Sequence, residues 1–412
     1  MSAPRIITLG CRLNRFESEV MWVGTEEAGL DDAIIINSCA VTGEAERQTR
    51  SEIRKARRDH PEARIIVCGC AAQIAPEKFV AMEEVDQVLG NREKMLPGSF
   101  DGSRVQVGDI SRRHAMQPME LEGFQSRSRA LVQIQQGCDH SCTFCIVPAA
   151  RGPNQSLPAQ AIITQVQSLI ERGHSEVVLT GADISSYGQD MSGGESLGRL
   201  ARALLDQVDG LARLRLSSLD PAMEDGELAD LLAHEPRLMP HLHFSLQAGN
   251  DLVLKRMKRR HSRDGAIRLC GRLRDAKPDV ALGADLIAGF PTESDEMFAD
   301  SLSLIEACGL SHLHVFPYSP RPGTPAARME QVPAPVRRER ARILREAGAR
   351  ALGERMDKSL GATAKVLIET DRRGYTEHYL PVRLDFQADA GGIADVRLIA
   401  RDGNGLIGAR AA

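Results

Sequence analysis

The stretch Leu131-Val-Gln-Ile-Gln-Gln-Gly-Cys-Asp-His-Ser-Cys-Thr-Phe-Cys145 decides the fold. Its first six residues read as a candidate strand, and a glycine ends them. Cys138, Cys142 and Cys145 then fall within eight residues. Soft thiolates select zinc, copper(I) or iron–sulfur clusters. A zinc site takes four ligands, often in Cys-x2-Cys pairs; here the spacing is x3 then x2, with no second pair nearby. Three thiolates can hold three irons of a [4Fe–4S] cluster and leave the fourth open to a substrate or cofactor. A zinc knuckle is the plain alternative.

Working downstream, five more candidate strands follow: EVVLTG from Glu176, RLRLSS from Arg213, HLHFSLQ from His241, ALGADLIAGF from Ala281 and HLHVFPY from His312. Helical patterns separate them, as in Ala159 to Arg172 and Glu293 to Ala307. Six βα units fall short of the eight of a closed barrel, so a partial (β/α)6 barrel or open curved sheet is expected. The three thiols sit at the C-terminal end of its first strand, where the active sites of such barrels lie.

Upstream, strands at Arg5 to Leu9, Ala33 to Asn37, Arg64 to Cys68 and Val85 to Gly90 alternate with helices at Ser18 to Ala28, Gly43 to Asp59 and Pro76 to Glu84. This rhythm predicts a parallel α/β sandwich. Cys11, Cys39 and Cys70 each follow one of its strands, and loops after parallel strands converge on one edge. The three thiols are therefore expected to meet and hold a second cluster; three unrelated buried cysteines are the bland alternative. Cys68, Cys270 and Cys308 read as core. Residues 98–129 break the rhythm as a linker or elaborated edge. The tail predicts a long Arg-rich helix from Val332 to Leu360, then a small antiparallel β-barrel. The expected domains are 1–125, 126–350 and 351–412.

Composition narrows the function. The chain has 412 residues, 42% hydrophobic and 26% charged, with a net charge of −4. It is neither disordered nor uniformly basic, so nucleic-acid contact would use local patches. No run nears the ~18 apolar residues of a membrane span. Nine cysteines, an odd number, without a signal peptide argue against a disulfide scaffold and for a cytoplasmic protein.

The Cys138 to Cys145 motif, with Phe144 before the last cysteine, resembles that of the radical S-adenosylmethionine (SAM) superfamily. Together with TLGCRLNRFESE, INSCAVT, VCGCAAQ, RLRLSSLDP, DLIAGFPTES, HVFPYSPRPGTPAARM and the tail segment GYTEHYLPVRL, the whole chain resembles the methylthiotransferase family, whose C-terminal domain is a TRAM domain. It most resembles the branch acting on N6-threonylcarbamoyladenosine at tRNA position 37. The resemblance implies two [4Fe–4S] clusters and SAM. Cys138, Cys142 and Cys145 would hold the radical-generating cluster, and Cys11, Cys39 and Cys70 the auxiliary one that supplies sulfur for a methylthio group at adenine C2. It also implies the tRNA anticodon loop, an electron donor such as flavodoxin or ferredoxin, and a sulfur source as partners, and no membrane. Ser245, where relatives tend to carry proline, departs from the pattern.

Phe144, Thr180, Gly181, Ser217, Gln247, Gly289 and Phe316 are the candidate SAM contacts, placed at the motif or at strand ends. Three basic stretches are candidates for RNA: Arg47 to Arg58, Arg256 to Arg274 and Arg337 to Arg350. Tyr375 and Tyr379 could stack on bases or simply pack. The rival functions are methylthiolation of isopentenyladenosine or of a ribosomal-protein aspartate, and a non-catalytic RNA-binding protein with a structural metal.

Overall fold

The computed structural model describes residues 4–114, 116–119, 128–403 and 405–411. The expected first domain boundary, at residues 125 and 126, lies outside them.

The N-terminal unit runs β1 (Arg5–Thr8), α1 (Arg12–Glu27), β2 (Ala33–Ser38), α2 (Gly43–Asp59), β3 (Arg64–Gly69), α3 (Cys70–Ile74), α4 (Pro76–Val80), β4 (Gln87–Leu89) and β5 (Val105–Gln106). The five strands form one parallel sheet in chain order. β2 is buried along its whole length. Ile34 and Ile36 enter one core while Ile35 joins Ile66 and Cys68 in the other, as expected of a strand covered on both faces. Residues 98–129 contribute the edge strand β5, so the irregular stretch is in part an elaborated edge.

Two boundaries differ from the sequence reading. Helix α1 starts at Arg12 rather than Ser18, because Asn14, Glu17 and Ser18 are buried polar residues that hide its inward face. The helix expected over 76–84 stops at Val80. Helix α2 follows its local chemistry: Thr42 Oγ1 accepts from the Ala45 N–H at 3.1 Å, Glu44 and Glu46 open it, and Arg57 and Arg58 close it.

The central unit carries β6 (Arg129–Gln133), the short hairpin strands β7 (Gln135–Gln136) and β8 (Gln155–Ser156) flanking α5 (Val147–Arg151), then α6 (Ala159–Glu171), β9 (Glu176–Thr180), α7 (Leu197–Gln207), β10 (Arg213–Leu216), α8 (Gly226–His234), β11 (His241–Gln247), α9 (Asp251–Met257), α10 (Arg263–Ala276), β12 (Ala281–Ala288), α11 (Asp295–Cys308) and β13 (Leu310–Pro317). Strands β10-β9-β6 and β11-β12-β13 form two parallel sheets. Parallel bridges from Leu214 to Leu238 and from Leu219 to Phe244 join them along the β10–β11 seam. The result is a six-stranded half-barrel. Ser245 donates its N–H across this seam to the Leu219 carbonyl, a bond proline could not make. The outer face carries the main apolar core, with Leu169, Val177, Leu204 and Leu214 fully buried.

Helix α12 (Ala334–Ser359) packs on β13 and leads to a closed five-stranded barrel of order β14-β15-β16-β18-β17. These strands are β14 (Thr363–Thr370), β15 (Arg373–Tyr375), β16 (Pro381–Leu384), β17 (Ile393–Asp402) and β18 (Gly405–Arg410). The pairing is antiparallel except between β16 and β18. The expected boundary at residue 350 falls inside α12. Among the described residues no helix is long and apolar enough to cross a membrane.

Candidate metal centres and the barrel lumen

Cys11, Cys39 and Cys70 follow β1, β2 and β3, and Cys11 and Cys70 both lie close enough to Cys39 to raise its thiol. Two glycines make this possible. Gly10 sits at φ +92°, and a Cβ there would stand 2.7 Å from Cys39 Cβ and 2.8 Å from its Sγ. Gly69, at φ +93°, lets the chain before Cys70 pass the Ser38 carbonyl, which any Cβ would strike. Cys39 and Cys70 are buried and Cys11 is exposed. Asn91 Nδ2 donates to Cys70 Sγ at 3.6 Å. Cys68 points elsewhere: it is fully buried, with its Sγ 3.6 Å from Met21 Sδ.

Cys138, Cys142 and Cys145 form the second triad, on the loop between β7 and α5, and each is half-buried. Each sulfur has a polar neighbour. The Val147 N–H donates to Cys145 Sγ at 3.4 Å, and Arg259 Nη1 to Cys142 Sγ at 3.6 Å. The Cys138 thiol points at Asp183 Oδ2, 3.7 Å away, and Asp183 pairs with His140 at 2.9 Å. Burial pushes Cys39 and Cys145 up to about 11 and Cys138 up to about 12. Such thiols stay protonated at neutral pH until a bound cation displaces the proton. Two separate sets of three thiols, with N–H donors on Cys70, Cys142 and Cys145, fit two thiolate-held clusters better than one four-ligand zinc site.

A buried charge network ties the triads together. Arg151 ends α5, just past Cys145, and reaches Glu17 Oε1 at 2.7 Å and Asn14 Oδ1 at 2.6 Å on α1, the helix that Cys11 begins. Lys94 Nζ meets the other Glu17 oxygen at 2.6 Å and Asn37 Oδ1 at 3.1 Å. Desolvation alone would raise Glu17, but Arg151 and Lys94 outweigh it and hold its carboxyl below the usual range. Sequence reading missed all three residues. The one signal was their position: each is charged, yet lies beside a cysteine loop or an apolar run.

The inner face of the half-barrel is unusually polar. Glu176 accepts from Arg129, Arg213 and Arg215. His243 and His314 flank Asp285 at 3.1 and 3.3 Å. Of the candidate SAM contacts, Thr180 and Ser217 are buried at the ends of β9 and β10. Gly181 is pressed against Gln135, whose Oε1 would lie 2.7 Å from an added Cβ. Gln247 ends β11 with φ +67°. Phe144 packs edge-on to Phe290 at 6.3 Å, and Phe316 is exposed on β13. Gly289, at φ +71°, makes room for Arg337 of α12, whose Cγ would lie 2.5 Å from an added Cβ.

Of the three basic stretches, the one on α2 gathers its side chains around one surface depression, lined by Arg47, Arg50, Arg54, Lys55 and Arg58. The other two are spent internally in part, although Lys258, Arg268, Arg272, Arg338 and Arg350 stay exposed. Arg259 serves Asp220 and Ser245, Arg263 serves the Gly249 and Asp300 carbonyls, and Arg340 serves Glu293 and Asp295. Tyr375 and Tyr379 stack on each other at 5.0 Å, and Tyr379 stacks on His241 at 5.2 Å, so both rings serve the junction with the half-barrel.

Comparison with known proteins agrees with this arrangement. Residues 132–305 match the Radical SAM superfamily, and residues 4–90 match the Uncharacterized protein family UPF0004. The chain is 46% identical over 396 residues to the threonylcarbamoyladenosine tRNA methylthiotransferase MtaB of Rickettsia prowazekii (strain Madrid E), covering 96% of this chain and 94% of that protein. It is 37% identical to the protein of the same name from Bacillus subtilis (strain 168), covering 84% and 80%. The fold is similar to that of the radical S-adenosylmethionine methyltransferase TsrM from Kitasatospora setae, with a TM-score of 0.53 and 16% identity over 79% of this chain and 75% of that one.

Proposed function

The chain belongs to the radical SAM tRNA methylthiotransferases, in the branch that modifies N6-threonylcarbamoyladenosine, and from that premise we propose how its residues divide the work. Its cofactors are SAM and [4Fe–4S] clusters, two being typical of the family. When bound, these groups supply a carbon-centred radical from SAM and the sulfur for the new methylthio group at adenine C2.

In our reading Cys138, Cys142 and Cys145 hold the radical-generating cluster, and Cys11, Cys39 and Cys70 hold the auxiliary one. The observation that carries this is the convergence of Cys11, Cys39 and Cys70 from three separate strand ends. Val147 N–H and Arg259 offset thiolate charge in the first triad, and Asn91 and Arg151 do so in the second. Phe144, from the cysteine loop, and Thr180, Gly181, Ser217, Gln247 and Phe316, at or near strand ends, are the residues we assign to SAM. The half-barrel shields the reacting carbon from water, and the Glu17–Arg151 pair fixes one triad against the other.

The tRNA is the substrate class. We place its anticodon arm along α2, which begins just after Cys39 and carries a basic stripe in which Arg50 and Lys55 have no ion-pair partner among the described residues. A flavodoxin- or ferredoxin-type electron donor, a sulfur source and a cytoplasmic location complete the proposal. The test is nucleoside mass spectrometry of tRNA from a strain lacking the gene beside its parent. Loss of methylthio-threonylcarbamoyladenosine alone, with its precursor retained, is expected. Loss of methylthio-isopentenyladenosine instead would overturn the substrate assignment.

A further inference from the structure

A cavity of about 310 Å³ lies where the start of α1, the inner face of β6, β9 and β10 and the C-terminal barrel meet. Its wall is cationic: Arg12, Arg15, Arg129 and Arg215 face a single lining carboxylate, Glu369. Glu176 nearby is already shared among Arg129, Arg213 and Arg215. Among the described residues neither Arg12 nor Arg15 forms an ion pair. Three lining side chains also hold a buried polar atom with no partner: Arg129 Nη2, His241 Nε2 and Ser128 Oγ. His241 and Ser128 are each only 7% exposed. These three atoms are themselves closed off from solvent, so it is the guanidinium groups of Arg12 and Arg15, in no ion pair, that leave the cavity short of an acceptor. With this excess of guanidinium groups the acceptor should be an anion.

The position narrows the choice. Arg12 directly follows Cys11, so the cavity adjoins the auxiliary triad. Tyr379 closes one side, with the Arg129 and Arg215 guanidinium groups each 5.0 Å from its ring centre. We infer that this cavity receives the carboxylate-bearing threonylcarbamoyl arm of the target adenosine, with Arg12, Arg15 and Arg129 clamping the carboxylate and setting specificity. The inference rests on the function proposed above and adds the residues that read the substrate. An apolar isopentenyl arm in the same place would leave Arg12 and Arg15 without an acceptor, which explains how such a site would reject it.

The test uses cluster-loaded enzyme and three anticodon stem-loops: the threonylcarbamoyl acid, its methyl ester, and the isopentenyl form. Without reductant, dissociation constants are measured; with reductant, kcat and KM for methylthiolation and the yield of 5'-deoxyadenosine. The acid is expected to bind about 10- to 100-fold more tightly than the ester, the usual worth of a charge-assisted contact. Arg15→Gln and Arg12→Gln should shrink that ratio by raising KM for the acid alone. Equal affinity and equal KM for acid and ester in the unmodified enzyme would overturn the inference while leaving the methylthiotransferase reading intact; this is also the result a backbone phosphate in the cavity would give. SAM cleavage without methylthiolation of any threonylcarbamoyl stem-loop would overturn the functional reading, and the inference with it.

Discussion

Arg151 Nη1 lies 2.7 Å from Glu17 Oε1, although 134 residues separate them, and both side chains are almost wholly buried. One residue ends the helix after the Cys138–Cys145 loop; the other sits on the helix that Cys11 begins. The pair therefore fixes the spacing between two sets of thiols that share no secondary-structure element. Glu17→Gln should leave Arg151 and Lys94 as uncompensated buried charges and destabilise the N-terminal unit by about 3–5 kcal/mol. Replacing Glu17, Lys94 and Arg151 together with methionine should recover most of that loss. Urea unfolding of the three proteins checks this; a single variant as stable as the triple one would show that the network carries no strong coupling.

The two triads should also separate in chemistry. Cys142→Ala is expected to abolish 5'-deoxyadenosine formation. Cys39→Ala should spare it but stop methylthiolation, and iron should fall from about eight to about four per chain. Iron and sulfide analysis with product chromatography decides this. Full methylthiolation by Cys39→Ala would remove that residue from the second site.

These assignments were unequally legible in the sequence. The six strands of the half-barrel could be read because each is a short apolar or alternating run bounded by turn residues, and the cysteines because their spacing is local or tied to strand ends. The beginning of α1 was hidden because its inward face carries Asn14, Glu17 and Ser18, which break hydrophobic periodicity while serving the buried network. The arginine-rich stretches looked alike in sequence. Only packing shows that Arg263 and Arg340 turn inward to cap carbonyls and carboxylates, whereas Arg50 and Lys55 face outward. Tyr379 likewise reads in sequence as either a base-stacking ring or a packing one, and only its place over Arg129 and Arg215 decides for packing.

Acid should weaken the fold earlier than carboxylate chemistry alone would. Burial, aided by Arg355 and His243, lowers His312 to about 3; burial, aided by Arg259, lowers His261 to about 4. The unfolded chain therefore binds more protons than the folded one below the ordinary histidine pKa of about 6.5. Their stabilising effect is complete above that pH and is lost as pH falls toward the folded values, by up to about 1.4 kcal/mol per pH unit for each histidine. Glu17 and Glu176 also have lowered pKa values, because their arginine and lysine partners outweigh desolvation. Their contribution is complete above about pH 4.3 and is lost only below it, as pH falls through the folded values. Urea midpoints should thus fall between pH 7 and pH 5. Flat midpoints over that range would mean that His312 and His261 titrate freely.

The stripe on α2 makes a claim about RNA that salt can test. Arg50 and Lys55 line the depression and have no ion-pair partner among the described residues, while Arg47 and Arg54 are paired with Glu44 and Glu84 at exposed positions where such pairs are weak. Phosphate contacts release counterions, so each one lost should flatten the slope of log affinity against log salt by roughly 0.7 to 0.9. Arg50→Glu with Lys55→Glu should therefore weaken tRNA binding, most at low salt, and reduce the slope by about one to two units. Arg342→Glu on α12 is the comparison: Arg342 is exposed but already held between Glu339 and Glu346. It should leave both affinity and slope nearly unchanged. If the α12 variant lost binding and the α2 variant kept it, the anticodon arm would lie along α12 rather than α2.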